Sequence, residues 1–154
     1  MRKYIIWIIV IIWMLLIFYF SQQPVEKSSE LSSGITERII ETVEIISPTD
    51  EISVDRLHHI IRKNAHFFIF FCLGLFVFTA LKNRKMKGFR KERVAFYICM
   101  LYAISDEVHQ LFVSGRGAQV KDVFIDSAGA ACGILVASLI SSLVKSRKRM
   151  KEAA

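Results

Sequence analysis

Three long apolar runs dominate the chain, residues 4–20, 67–81 and 123–144, the last broken only by Asp126 and serines. A fourth stretch, 94–113, is apolar as far as Ile104 and then turns polar. A helix rises 1.5 Å per residue, so about 20 residues cross a hydrocarbon core of about 30 Å. The first run lies at the short end of that range, and Ser21 and Gln22 complete its last turn. The pattern predicts an all-α fold, a four-helix integral membrane bundle with spans over 4–22, 60–81, 94–113 and 123–144. It is read as one domain over residues 1–154.

The segment between the first two spans, 23–57, reads differently. Ser21-Gln22-Gln23-Pro24 ends the first helix, and a Ser/Glu-rich stretch follows. Leu31, Ile35, Ile39, Val43 and Ile46 then recur every three or four residues, with Glu37, Arg38, Glu41 and Glu44 between them. That period predicts an amphipathic helix with an acidic face, lying on the membrane surface or over the mouth of the bundle. Ser47-Pro48, with Asp50 close behind, has the form of a helix start that runs on into the second span.

Charge orients the bundle. Net charge is +7, which in a soluble protein would raise nucleic acid as a partner. Here Arg2 and Lys3 precede the first span; Lys82, Arg84, Lys85, Lys87, Arg90, Lys91 and Arg93 fill the loop between the second and third; and Lys145, Arg147, Lys148, Arg149 and Lys151 follow the fourth. These are fourteen of the 21 basic residues, all on one side. Residues 21–57 instead carry eight acids against three bases. The positive-inside rule then places both termini in the cytoplasm, and no nucleic-acid partner is expected. Met1-Arg2-Lys3 resembles the start of a secretory signal, but the apolar run is long and no small-x-small cleavage site follows, so an uncleaved anchor is expected. Cys72, Cys99 and Cys132 all fall within apolar helices, odd in number and without metal-ligand spacing, and read as packing residues.

Against this background the polar residues stand out. Lys63, His66, Asp106, Glu107, His109, Gln110 and Asp126 all lie toward the outer ends of their spans, and Arg116 and Asp122 sit in or beside the loop joining the last two. Counted up from the cytoplasmic ends, His66 is about 22 Å up, Asp106 and Glu107 about 18–20 Å, and Asp126 about 27 Å. An ionisable side chain in a span costs about 2.5–3.5 kcal/mol on insertion scales, so such a collection points to a site. Asp106, His109 and Gln110 share one helix face, as do Lys63 and His66, and Asp122 and Asp126. Buried, Glu107 needs a cation, and Arg116, Lys63 and His66 are the candidates. A polar knot that merely fixes helix order is the bland alternative to a ligand cavity. Gly129, Ala130, Ala131 and Gly133 form a small-residue patch suited to close helix packing. Glu107-Val108-His109-Gln110 is not a His-Glu-x-x-His motif, so neither a metal nor another cofactor is expected.

At these residues the chain resembles the VanZ-like family of bacterial membrane proteins, named for a teicoplanin-resistance accessory protein. The resemblance spans nearly the whole chain. It rests on Phe20-Ser21-Gln22-Gln23-Pro24 with Ser28, on Arg62-Lys63-Asn64-Ala65-His66-Phe67, on Ser105 through Phe112 followed by Gly115-Arg116, and on Asp122 with Gly129 through Gly133. Asp126 departs from the pattern, where the family often has asparagine. The resemblance implies a cell-envelope role and reduced susceptibility to lipoglycopeptide drugs, without an established reaction. Some members carry a phosphotransbutyrylase label, but no coenzyme A site is recognisable here.

Two functions follow as expectations. In the first, an outer-leaflet polar cavity formed by Lys63, His66, Asp106, Glu107, His109, Gln110, Arg116, Asp122 and Asp126 binds a lipid-linked or glycopeptide ligand. Its partners would be membrane lipids or a lipid-linked envelope precursor. In the second, the protein is an intramembrane hydrolase or transferase acting on an envelope lipid, although no serine is evidently placed as a nucleophile beside a base. A transporter would need more helices than four, which a homo-oligomer could supply.

Overall fold

The computed structural model describes residues 2–22, 54–82, 86, 89–113 and 119–153. Within them lie four helices and no strand: α1 (Arg2–Ser21), α2 (Val54–Leu81), α3 (Arg90–Gln110) and α4 (Val120–Ala153). The amphipathic helix expected over 31–46, the helix start at Ser47-Pro48, and Arg116 fall outside the described residues.

The spans Tyr4–Ser21, Ile60–Leu81 and Val120–Glu152 are long and apolar enough to cross a membrane, with mean hydropathies of 2.5, 2.0 and 2.0. With 21 residues, α3 reaches about 31 Å, a full span in length. It is polar at both ends, however, with Arg90, Lys91, Glu92 and Arg93 at one and Asp106 and Glu107 at the other. Bulky apolar side chains face outward on all four helices, among them Ile12, Leu15, Phe68, Leu101, Phe124 and Leu139. That much exposed apolar surface is at odds with water and suits lipid.

Helix direction follows from who meets whom. Met14 and Ser21 of α1 contact Tyr102 and Asp106 of α3 in that order, so α1 and α3 run the same way. Lys63 meets Asp122 and His66 meets Asp126, so α2 and α4 also run alongside each other. Ser138 of α4 donates to Glu92 of α3 at 2.8 Å, far from where Asp126 approaches Asp106, so those two helices are antiparallel. The result is an up-down-up-down bundle.

The core centres on α2, where Phe70, Leu73 and Val77 are completely buried against Val10 and Ile17 of α1, Ala95, Cys99 and Ala103 of α3, and Ala130 and Ile134 of α4. Trp13 adds a hydrogen bond from its indole Nε1 to the Ile69 carbonyl at 3.0 Å and an edge-on contact with Phe76. The most extensive interface joins α2 and α4, and glycine makes it. A Cβ on Gly129 would strike the Phe67 carbonyl, one on Gly133 the Phe71 carbonyl, and one on Gly74 the Ala130 carbonyl. The small-residue patch therefore lets two backbones touch, which is how helices associate when lipid removes the hydrophobic drive between them.

Two of the boundaries that differ from the expected ones have a visible cause. The third helix closes at Gln110 rather than 113, because Leu111, Phe112 and Val113 donate to carbonyls three residues back and tighten the chain out of the α-helix. The fourth continues to Ala153, well past 144. Nothing in Lys145 through Ala153 breaks a helix, and Lys148 and Glu152 form an i,i+4 pair at 3.9 Å.

Candidate functional site: a polar cluster at one end of the bundle

The cluster lies where α1 and α3 end and α2 and α4 begin. Side chains from all four helices meet there. Asp106, Glu107, Gln110 and Asp126 are buried, and so is Ser21.

Ser21 is the joint between α1 and α3. Its hydroxyl donates to Asp106 Oδ2 at 2.9 Å and accepts from Gln110 Nε2 at 2.9 Å, while Gln110 Nε2 also reaches Asp106 Oδ2 at 3.2 Å. One turn of α3 thus supplies an acceptor and a donor that the hydroxyl bridges. Across the bundle, Lys63 Nζ lies 2.8 Å from Asp122 Oδ1, with both side chains about a quarter exposed, at 23% and 24%. One turn deeper, His66 Nδ1 stands 3.7 Å from Asp126 Oδ2. Glu107 takes a different partner: its Oε1 accepts the backbone N–H of Gln119, tying α3 to the residue before α4. The His109 ring stacks on Phe18 of α1 with centroids 4.3 Å apart.

Of the expected site residues, the structure brings Lys63, His66, Asp106, Gln110, Asp122 and Asp126 together. Lys63 pairs with Asp122 and not with Glu107, and His66 faces Asp126. His109 shares the region but lies against Phe18. Arg62 and Ile125 join Lys63, His66, Gln110, Asp122 and Asp126 in lining a cleft. The cleft measures about 290 Å³ out to its open mouth and has room for a water-sized group. Ser21 and Arg62 are the residues that sequence reasoning left out of the site. The usable signal was position: both sit at the same depth as the cluster, each beside a residue already singled out.

Chemically the cleft is mixed. Lys63, Arg62 and the Gln110 amide donate; Asp122 and Asp126 accept. Such a lining suits a ligand bearing hydroxyl or amide groups better than a bare anion, which two carboxylates would repel.

No curated protein and no solved structure matches the chain. A family model described as VanZ/LLP1 matches residues 6–141, which take in every member of the cluster from Ser21 to Asp126, and the chain belongs to that family.

Proposed function

We propose that this protein is a multi-pass component of the bacterial cytoplasmic membrane, with both termini inside, working as one membrane domain. Its polar cleft would open to the outer leaflet and bind the headgroup of a lipid-linked envelope precursor or a glycopeptide, lowering susceptibility to teicoplanin-type drugs. The single observation that carries this reading is the cleft itself, where mixed donors and acceptors are gathered at one end of a bundle otherwise faced with hydrocarbon-compatible side chains. Sidedness is supported by the basic loop and tail, and the drug link by the family.

Native mass spectrometry of the full chain with its co-purifying lipids tests this. Wild type should retain a lipid-linked cell-wall precursor, and Lys63→Gln and Asp122→Asn should lose it at least about tenfold, the effect of about 1.4 kcal/mol. Equal retention of bulk phospholipid by all three would overturn the reading. Turnover of an added lipid pyrophosphate would replace it with the hydrolase or transferase.

A further inference from the structure

Beneath the Lys63–Asp122 pair, three side chains from three helices converge. The ligating atoms of His66, Asp106 and Asp126 all lie within 4.8 Å of one another. Asp106 and Asp126 are only 2% and 1% exposed, and each has a buried Oδ1 with no hydrogen-bond partner. Orphaned carboxylate oxygens are costly in any interior. Two buried carboxylates beside one imidazole leave negative charge for a cation to offset.

The remaining contacts are those a metal site would want. Ser21 and Gln110 both donate to Asp106 Oδ2, fixing that carboxylate's orientation and leaving Oδ1 to point elsewhere. The 3.7 Å between His66 Nδ1 and Asp126 Oδ2 is too long for a hydrogen bond. It is close to the edge of about 3.4 Å that separates two ligands each about 2.1 Å from a tetrahedral ion. A proton on His66 would offset only one of the two buried carboxylates, whereas a divalent ion offsets both and leaves the imidazole neutral. Lys63 Nζ is engaged by Asp122 at 2.8 Å.

We infer that His66, Asp106 and Asp126 form a binding site for a divalent transition-metal ion. One imidazole and two carboxylates suit Zn²⁺ or Mn²⁺. Three protein ligands leave a position open toward the cleft, where a water-sized group fits. Sequence spacing is silent on this because the ligands come one each from α2, α3 and α4. The site stands independently of the envelope-ligand reading, since no lipid enters the argument.

The test uses the full chain purified in detergent on a tag without histidines, stripped with EDTA, reloaded with ZnCl₂ or MnCl₂ and desalted. Elemental analysis should find about one ion per chain. His66→Gln and Asp126→Asn should lower that at least about tenfold, as loss of a ligand or its support does. Ser142→Ala, exposed and far along α4 from the triad, should keep it. Wild type holding no ion above the detergent blank, or both triad variants holding as much as wild type, would overturn the site. Should a variant lose helix content by circular dichroism, X-ray absorption of zinc-loaded wild type decides. One nitrogen with oxygens supports the triad; sulfur or two imidazoles in the shell excludes it. Lipid retention measured on the stripped and loaded samples separates the two ideas. Lipid without metal leaves the headgroup reading standing alone, and metal without lipid leaves the triad standing alone.

Discussion

Replacing Gly133 by alanine puts one methyl group against the Phe71 carbonyl. The obstacle is backbone inside α2, so no rotamer change relieves it, and the two helices must move apart by roughly 1 Å to restore an ordinary C···O contact. A gap of 0.5–1 Å forfeits about a quarter to a half of each dispersion contact it opens, and it opens along the largest interface of the bundle. Overpacking of this kind costs about 1–3 kcal/mol, and the rigid obstacle puts this case near the top. Against that, alanine is worth up to about 1 kcal/mol over glycine in a helix interior. The net expectation is a loss of about 2 kcal/mol, where an unpacked glycine would give a gain. Unfolding of the purified protein in mixed detergent–SDS micelles, followed by circular dichroism, measures it. Ala128→Leu, at an exposed position of the same helix, should stay within about 0.5 kcal/mol of wild type. If Gly133→Ala were as stable as wild type or more so, the close approach of α2 and α4 would not exist.

Other outcomes follow from the same contacts. Ser21→Ala removes the hydroxyl bridging Asp106 and Gln110 and should cost about 1.5–3 kcal/mol in the same assay, as for a hydrogen bond to a charged group. A double-mutant cycle on Lys63→Met and Asp122→Leu should give a coupling above the roughly 0.2–1 kcal/mol of exposed pairs, because this pair is three-quarters buried; zero coupling would mean the two merely lie near each other. In a cysteine-free background, Met86→Cys should label only after permeabilisation and Gln22→Cys without it, the reverse pattern inverting the proposed topology. Lys63→Met should abolish any glycopeptide-susceptibility phenotype at unchanged membrane abundance, and full retention would separate the cleft from that phenotype.

All four helices were legible, and three of them are long and apolar enough to cross a membrane. The expected span over 94–113 forms a helix too polar at its ends to join those three. Such helices are legible because they need only a long apolar run, and runs survive any uncertainty about which face points where. The depth of Lys63, His66, Asp106, Gln110 and Asp126 was legible for the same reason, since rise per residue fixes height. Partnership was not. Whether Lys63 meets Glu107 or Asp122 depends on the rotation of α2 about its axis, and that is set by Gly74, Gly129 and Gly133 seating against backbone carbonyls. A small-residue patch announces close packing without saying against whom. Glu107 Oε1 takes the backbone N–H of Gln119, a contact that no spacing announces, while Arg116, the cation expected to pair with Glu107, lies outside the described residues. Ser21 read as the end of a helix because a serine there so often is, and only the neighbouring helix reveals its hydroxyl as a bridge.

The two glycines that seat α4 on α2 are four residues apart, and so are the carbonyls that receive them. This acts as a vernier. Slide α4 one turn one way and Gly133 drops into the place of Gly129, but Ala137 then drives its methyl into the Phe71 carbonyl. Slide it the other way and Gly129 takes the place of Gly133, with Ile125 colliding at Phe67. The same slips would set Asp126 against Lys63, or leave Lys63 facing the chain ahead of α4. In a bilayer, where greasy surfaces slide past one another at little cost, these steric and electrostatic teeth lock the helices at a single relative height, and with it the height of every group in the cleft.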